Sequence, residues 1–270
     1  MPTVPTDTTE MVAELNGGAI PRRIHVAPVG FEVDRVVEPI VRMEGERAVL
    51  LAQLESRDKG HHFLEKVVRR LKSKRVKVQV IREDIHDLYA LTRTFSAIFR
   101  THSRDSIFLN VSSGSKIEAI GAVLASMLVR GEGIDVTPYY AVPVEYTTPL
   151  NVPLSKGCAE IIPLPHLSMQ VPSPEIRESL SILKDGARSK SDLAVELAKR
   201  NRLDSRRLSS DGKPRDEAAR VSLQTAVDVR VVRKLEELKY ALVRRKGREA
   251  MVGLTPLGLA ASEFFHPNEA

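Results

Sequence analysis

The chain has 270 residues, of which 42% are hydrophobic and 28% charged, a composition that excludes a collagen-like or disordered protein. Its length favours two domains, and its longest apolar run, residues 120–129, is too short for the ~20-residue span of a membrane helix. Its formal net charge is +6. The single cysteine, Cys158, excludes an internal disulfide. The single cysteine fits a reducing compartment, and the polar amino-terminal residues lack the features of a signal peptide. We therefore expect a cytoplasmic protein without membrane contact.

The positive charge is concentrated in one part of the chain. Residues 1–171 carry 21 Lys and Arg against 20 Asp and Glu, whereas residues 188–248 carry 18 against 9. Prolines crowd residues 163–174 between these parts. We therefore predict a nearly neutral domain over 22–170 and a basic domain over 173–270, an asymmetry that suggests a polyanionic partner for the second domain.

The first part alternates apolar strands with segments of helical spacing. The predicted strands cover 24–29, 48–54, 76–81 and 107–111, and helices follow over 33–41, 64–71, 88–99 and 117–130. Such alternation predicts a parallel sheet with helices on both faces. Two further strands, 136–142 and 160–164, are joined by a proline-rich loop without a helix, which predicts an antiparallel pair. The fold class is therefore α/β, a Rossmann-like parallel sheet with a C-terminal antiparallel hairpin.

Two loops of this predicted sheet favour a ligand site. Open α/β sheets bind ligands beyond the carboxyl ends of strands at the point where strand order reverses. If the first and fourth strands are neighbours, the loop with Val29, Gly30 and Phe31 flanks one crevice with residues 112–116. Small residues and a helix N-terminus favour an anion there, and Lys116 adds a full charge. The alternative is a capped strand-to-helix turn with a solvated lysine, because neither a P-loop nor a G-x-G-x-x-G motif is present.

The sequence Asn110-Val111-Ser112-Ser113-Gly114-Ser115-Lys116 resembles the Asn-x-Thr-Gly-Gly-Thr-Lys/Arg signature of CARF (CRISPR-associated Rossmann fold) domains, which also follows a fourth strand. The resemblance covers about residues 22–170. It implies a homodimer whose paired loops bind a cyclic oligoadenylate, a nucleotide second messenger, across the two-fold axis. The contacting residues that it implies are Val29, Gly30, Phe31, Ser112, Ser113, Gly114, Ser115 and Lys116. Ser113 stands where the signature has a glycine.

The second part predicts helices, a basic hairpin and a closing helix. Ile176, Leu180 and Leu183 mark a first helix, and Ser189 or Ser191 caps a second. Residues 201–217 are charged and predict an exposed insertion or a mobile loop. A third helix is predicted from the spacing of five apolar residues, Val227, Val231, Leu235, Leu238 and Leu242.

A hairpin is predicted from residues 242–245 and 250–254, followed by a last helix that ends at Phe264-Phe265. This order predicts an α+β winged helix-turn-helix domain. The runs 234–243 and 254–258 resemble the recognition-helix-to-wing junction and the post-wing turn of MarR-like regulators.

In such a fold the third helix enters the major groove and the wing contacts phosphates of double-stranded DNA. The residues predicted to contact DNA are Arg220, Ser222, Gln224, Thr225, Arg230, Arg244, Arg245, Lys246 and Arg248. The alternative is a helical dimerisation domain whose basic faces are only solvated.

These features, with the resemblance to archaeal CARF–winged-helix regulators of CRISPR-associated systems, lead us to expect a ligand-responsive transcriptional regulator. We expect no required cofactor, no metal and no catalytic residue. Adjacent His61 and His62 would chelate a metal poorly, and Asp87 is placed to cap a helix rather than to bind a metal. Two rivals stay open. One is a ring nuclease that cleaves cyclic oligoadenylate through Ser112, Ser113 or Lys116, and the other is a scaffold that binds no nucleotide.

Overall fold

The computed structural model of the protein describes residues 20–54, 60–147, 153–165, 167–247 and 249–265. The chain divides into two units between Gln170 and Val171. Each unit has buried apolar residues of its own. No helix within the described residues combines the length and apolar character needed to cross a membrane.

A six-stranded sheet organises the first unit. Its strands are β1 (Arg23–Pro28), β2 (Arg47–Gln53), β3 (Lys77–Glu83), β4 (Ser106–Asn110), β5 (Val136–Val142) and β8 (Glu160–Pro163). The strand order is β3-β2-β1-β4-β5-β8, and all neighbours are parallel except β8, which runs antiparallel to β5 at the edge. The helices of this unit are α1 (Asp34–Arg42), α2 (His61–Ser73), α3 (Leu88–Thr101) and α4 (Lys116–Gly131).

Alternate residues of the buried strands supply two apolar cores, one on each face of the sheet. Val26 and Leu109 pack with residues of α3 and α4, whereas Ala27 and Leu50 pack with residues of α1 and α2. Strands covered on both faces are apolar along their whole length, which is why their sequences show continuous apolar runs. The prediction of a mixed α/β fold with a largely parallel sheet is confirmed.

The connection from β5 to β8 contains a short hairpin that the sequence did not predict. Strands β6 (Glu145–Tyr146) and β7 (Ser155–Lys156) pair antiparallel, with Glu145 opposite Lys156. Two-residue strands leave no period-2 pattern, so only their tertiary contacts define them.

The second unit combines helices with a small sheet. Its helices are α5 (Pro174–Lys184), α6 (Lys190–Lys199), α7 (Glu217–Val227), α8 (Arg233–Glu237) and α9 (Pro256–Phe264), and its strands are β9 (Arg188–Ser189), β10 (Ala241–Lys246) and β11 (Glu249–Leu254). The sheet order is β10-β11-β9, and both pairings are antiparallel. Ser189 caps α6, because its hydroxyl oxygen accepts the Asp192 N–H at 3.1 Å.

The prediction that the third helix extends to Leu242 is wrong. A π-helical turn, Asp228–Val232, joins α7 to α8, and the helix ends at Glu237. Lys239 then takes a left-handed conformation with φ of 59°, and the Tyr240 N–H donates back to the Leu235 carbonyl at 2.8 Å. This Schellman-type ending places Leu242 in strand β10, where its side chain is exposed.

Residues 201–217, predicted to be an exposed insertion or a mobile loop, contribute two side chains to the core of the second unit. Leu203 and Leu208 are buried in the core of the second unit, and Leu208 forms a β-bridge with Pro214. Two isolated apolar residues in a charged stretch gave too weak a signal to predict this packing.

Candidate functional site

The first candidate site lies where the strand order of the sheet reverses. Strand β1 pairs in parallel with both β2 and β4. The chain therefore leaves the carboxyl ends of β1 and β4 side by side. This confirms that the two strands are neighbours, and their loops, Val29–Phe31 and Val111–Ser115, come together. We call these loops with Lys116 the strand-end crevice.

The two loops touch through their backbones. The Gly30 N–H donates to the Ser113 hydroxyl oxygen at 3.1 Å, and a Cβ on Gly30 would lie 3.1 Å from the Gly114 Cα. Gly114 has φ of +80°, and a Cβ on it would lie 2.7 Å from the Pro28 Cβ. Gly114 therefore needs glycine, whereas a Cβ on Gly30 would require Gly114 to shift slightly. A ligand would lie over the joined loops, because no gap separates them at this point.

The predicted crevice residues fall into two groups. Val29, Ser112 and Ser113 are buried, and both serine hydroxyls accept backbone N–H groups. Phe31, Gly114 and Lys116 are exposed, and Gly30 and Ser115 are half-buried. The exposed group is available to a ligand, and the buried group holds the loops in place.

A capping box fixes the start of α4. The Ser115 hydroxyl oxygen accepts the Glu118 N–H at 3.2 Å, and the Glu118 carboxylate accepts the Ser115 N–H at 2.6 Å. These two backbone donors are therefore already bonded within the helix. The positive charge that remains at this end of the helix is the ammonium group of Lys116, which is exposed.

The sequence reasoning missed several buried polar side chains of the first unit. His25 and Tyr139 are fully buried, with 3.1 Å between the His25 Nδ1 and the Tyr139 hydroxyl. Burial lowers the pKa of His25 to about 3, so the ring is neutral at pH 7, and burial raises the pKa of Tyr139. Glu32 and Arg35 are also buried and form an ion pair. The available signal in the sequence was the spacing of three residues between Glu32 and Arg35.

The second candidate site is a groove in the second unit with a volume of about 610 Å³. We call it the helix–hairpin groove, because α7, the start of α6 and the start of β11 form its walls. Its lining residues are Ser189, Lys190, Ser191, Arg220, Val221, Gln224, Thr225, Asp228, Val229, Arg233, Glu249 and Ala250. Arg220, Gln224 and Thr225 recur at helical spacing and present one face of α7 to the groove.

The electrostatics of this groove include a carboxylate that the sequence reasoning did not single out. Asp228 forms an ion pair with Lys190, and its other oxygen lies 3.5 Å from the Arg233 Nε. The hydrogen bond from Lys190 lowers the pKa of Asp228, so the carboxylate is charged at neutral pH. Arg220 also has a carboxylate partner, because its Nε donates to Glu217 at 2.8 Å.

Two residues predicted on the same DNA-contacting face lie elsewhere. Arg230 forms an ion pair with Glu175 of α5, and neither Arg230 nor Ser222 lines the groove. In a regular helix Ser222 lies about 200° from Arg220, and Arg230 lies about 180° from Val221, so helical spacing alone separates both residues from the face of the helix that lines the groove.

The predicted wing residues lie on the β10–β11 hairpin. Arg244 and Arg245 are exposed, stand opposite Met251 and Ala250, and form no ion pair with a described residue. The turn includes Gly247 with φ of +65°. Lys246 ends β10, and the prediction for Arg248 falls outside the described residues.

Two other residues considered in the sequence, Asp87 and Cys158, lie outside both candidate sites. Asp87 caps α3 as predicted, since its carboxylate accepts the Tyr89 and Ala90 N–H groups at 2.8 and 3.0 Å. Cys158 is buried. Within the described residues no group of three or more His, Cys, Asp or Glu side chains is arranged to hold a metal ion.

Comparison with known proteins gives partial matches. The family model described as HFX_2341_N:-like, N-terminal, matches residues 23–146, all of which lie in the first unit. The uncharacterized protein MJ1513 of Methanocaldococcus jannaschii is 26% identical over 141 residues, which is 50% of this chain. The chain spans 41% of the length of that relative.

Two solved structures share low similarity with the chain. Can2 from Sulfobacillus thermosulfidooxidans, solved in complex with cyclic tetra-adenylate, has a TM-score of 0.37 at 12% identity, with 91% of this chain and 75% of that chain covered. Protein VC1899 from Vibrio cholerae has a TM-score of 0.38 at 12% identity, with 89% and 64% covered.

Proposed function

We propose that the protein is a cytoplasmic, homodimeric, ligand-responsive regulator that binds duplex DNA through its second unit. In this proposal the first unit binds a cyclic oligoadenylate at the strand-end crevice. The observation that carries the proposal is the segment Gly114–Lys116, whose Gly114 and Lys116 are exposed and which lies at a helix start directly beside the Gly30 loop. No metal or other cofactor takes part.

The chemistry of the crevice favours an anionic ligand. The capping box occupies the Ser115 and Glu118 N–H groups, so Lys116 is the group that neutralises a phosphate. A homodimer with two-fold symmetry presents this lysine twice, which suits a ligand with repeated phosphates. The resemblance of residues 110–116 to the CARF signature narrows the ligand class to cyclic oligoadenylates.

The second unit supports DNA as the partner. Arg244 and Arg245 are exposed and lack carboxylate partners among the described residues, so they are available to phosphates. Gln224 and Thr225 line the groove and are exposed or half-buried, and glutamine suits adenine while threonine is less selective. A helix beside a basic hairpin is the arrangement by which winged helix-turn-helix domains contact a major groove and the adjacent backbone.

A binding role is favoured over ring cleavage. The hydroxyls of Ser112 and Ser113 are buried and already accept backbone N–H groups. They are poorly placed to activate a ribose 2′-hydroxyl. Incubation with cyclic tetra-adenylate should return the intact ring, and accumulation of linear product would favour a ring nuclease.

Ligand binding is tested by titration calorimetry with cyclic tetra-adenylate and cyclic hexa-adenylate. Lys116→Ala should weaken binding at least tenfold without changing the melting temperature. The matched control is Lys77→Ala, at the start of the outer strand β3 and away from the crevice, and this variant should bind as the wild type does. Equal binding by both variants would overturn the crevice assignment, and no binding by the wild type would overturn the ligand class.

DNA binding is tested by fluorescence anisotropy with a duplex from the protein's own promoter over a range of salt concentrations. The affinity should fall steeply as salt rises, because phosphate contacts release counterions. An absence of binding at low salt would contradict the DNA proposal and favour a scaffold whose basic faces are only solvated.

A further inference from the structure

Four residues beneath the strand-end crevice form a closed ring of hydrogen bonds. The Asn110 Nδ2 donates to the Arg35 carbonyl at 2.8 Å, and the Ser112 N–H donates to the Asn110 Oδ1 at 2.8 Å. The Ala141 N–H donates to the Ser112 Oγ at 2.5 Å, and the Arg35 Nε donates to the Ala141 carbonyl at 2.7 Å. The ring therefore joins α1, the end of β5 and the loop after β4.

A buried ion pair connects this ring to the loop after β1. The Arg35 Nη1 donates to the Glu32 Oε1 at 3.1 Å, and the two residues are 4% and 5% exposed. The Arg35 guanidinium carbon also lies 4.8 Å from the centre of the Tyr140 ring. At this depth each charge depends on the other, because an unpaired buried charge is strongly unfavourable.

The same ion pair reaches the β6–β7 hairpin. The Ser155 hydroxyl is fully buried and donates to the Glu32 Oε2. The hairpin also bonds to the loop after β1 through the Leu154 N–H, which donates to the Phe31 carbonyl at 3.0 Å. A two-stranded hairpin this short is not stable by itself, so these contacts determine where it lies.

Arg35 and Glu32 are too buried to contact a ligand, yet every loop around the crevice bonds to one of them or to the ring. We propose that they are positioning residues that hold the loop 111–115 and the β6–β7 hairpin in one fixed arrangement for binding. A change at one loop is then transmitted to the other through the Glu32–Arg35 pair. This inference rests on the proposed function of the crevice as the ligand site.

The test removes the pair without leaving a lone buried charge. The double variant Glu32→Gln/Arg35→Met loses both charges together, and Ser155→Ala removes only the link to the hairpin. The matched control is Arg100→Met, which breaks an exposed, two-bond ion pair between Arg100 of α3 and Glu132, the residue after α4, in the same unit. Each variant is assayed in the full chain, well below its melting temperature.

Two readouts are used, hydrogen exchange followed by mass spectrometry and calorimetry with cyclic tetra-adenylate. In the double variant, exchange should rise at least tenfold in both loop 111–115 and residues 153–158, while β2 and β3 keep their wild-type protection. Affinity should fall at least tenfold. Ser155→Ala should speed exchange in 153–158 and lower affinity less, and Arg100→Met should change neither quantity.

The outcomes separate this inference from the proposed function. If the wild type binds the nucleotide and the double variant binds equally well, the positioning role is wrong and the ligand site stands. If the wild type binds no nucleotide, the ligand proposal fails, and the positioning role for ligand binding fails with it. Unchanged exchange in both loops of the double variant would overturn the coupling whatever the ligand result.

Discussion

The two units of this chain use charge in opposite ways. In the first unit, Glu32 and Arg35 are buried together as an ion pair, and Arg35 also donates to the Ala141 carbonyl. In the second unit, Arg244 and Arg245 are exposed without a carboxylate partner among the described residues. The buried pair therefore holds the loops of a site in place, whereas the exposed arginines are available to a partner. It also explains why a net charge of +6 says little about the crevice.

The largest effect is expected from reversing charge on the hairpin. Arg244→Glu/Arg245→Glu should lower affinity for duplex DNA by on the order of 100-fold at low salt and reduce the salt slope by about 2, since each lost phosphate contact removes about 0.9. The control, Arg69→Glu/Lys72→Glu, makes the same change in net charge on α2 of the first unit. Equal losses in the two variants, measured by anisotropy, would mean that only overall charge attracts DNA.

A smaller effect is expected from filling the space between the crevice loops. Gly114→Ala should lower the unfolding free energy of the first unit by about 1–3 kcal/mol more than Gly133→Ala does. Both glycines have positive φ, but a Cβ on Gly133 would meet nothing within 4 Å. Urea unfolding of the two variants measures the difference. Identical losses would show that the loops are not in close contact.

The buried histidine predicts a pH dependence of the first unit. Its pKa is lowered to about 3, so the unfolded chain binds more protons between about pH 3 and pH 6.5. The stabilising effect of a neutral His25 is complete above pH 6.5 and is lost as pH falls, by at most about 1.4 kcal/mol per pH unit. His25→Phe should show a shallower loss of stability over this range, measured by urea unfolding at several pH values. An unchanged slope would contradict the burial of this ring.

The smallest effect concerns the carboxylate in the helix–hairpin groove. Asp228→Asn should raise affinity for non-specific DNA by about two- to fivefold, because Lys190 and Arg233 lose an internal counter-charge and gain freedom to contact phosphates. Asp185→Asn, in the turn after α5, changes the net charge equally outside the groove and is the control. Weaker binding by Asp228→Asn would contradict this prediction and would indicate that Asp228 contacts DNA bases directly.

Much of the first unit followed from its sequence, because strands buried on both faces are apolar throughout and their helices keep a regular spacing. The adjacency of β1 and β4, and hence the meeting of Gly30 with residues 113–114, followed from that alternation. The β6–β7 hairpin did not, because its position depends on the bond between Ser155 and Glu32, which are distant in sequence. Arg35 was also missed, since an arginine is expected at the surface unless its partner is known.

The second unit shows a different limit. The helix end at Glu237 was missed because Lys239 takes a left-handed conformation that usually indicates glycine. Arg230 was predicted to contact DNA as part of the third helix, and its ion pair with Glu175 was missed because the two residues are distant in sequence. The exposure of Arg244 and Arg245 could be predicted, because a run of basic residues between two strand-like segments indicates an exposed hairpin without knowledge of tertiary contacts.

In the proposed function, the first unit senses a nucleotide and the second unit binds DNA in response. The most direct test is the affinity of the wild-type protein for duplex DNA from its own promoter, measured with and without saturating cyclic tetra-adenylate. We predict a change of at least fivefold, a typical size for coupling between sites, and its loss in Lys116→Ala with the ligand-free DNA affinity unchanged. DNA affinity that is the same with and without a nucleotide shown to be bound would contradict the claim.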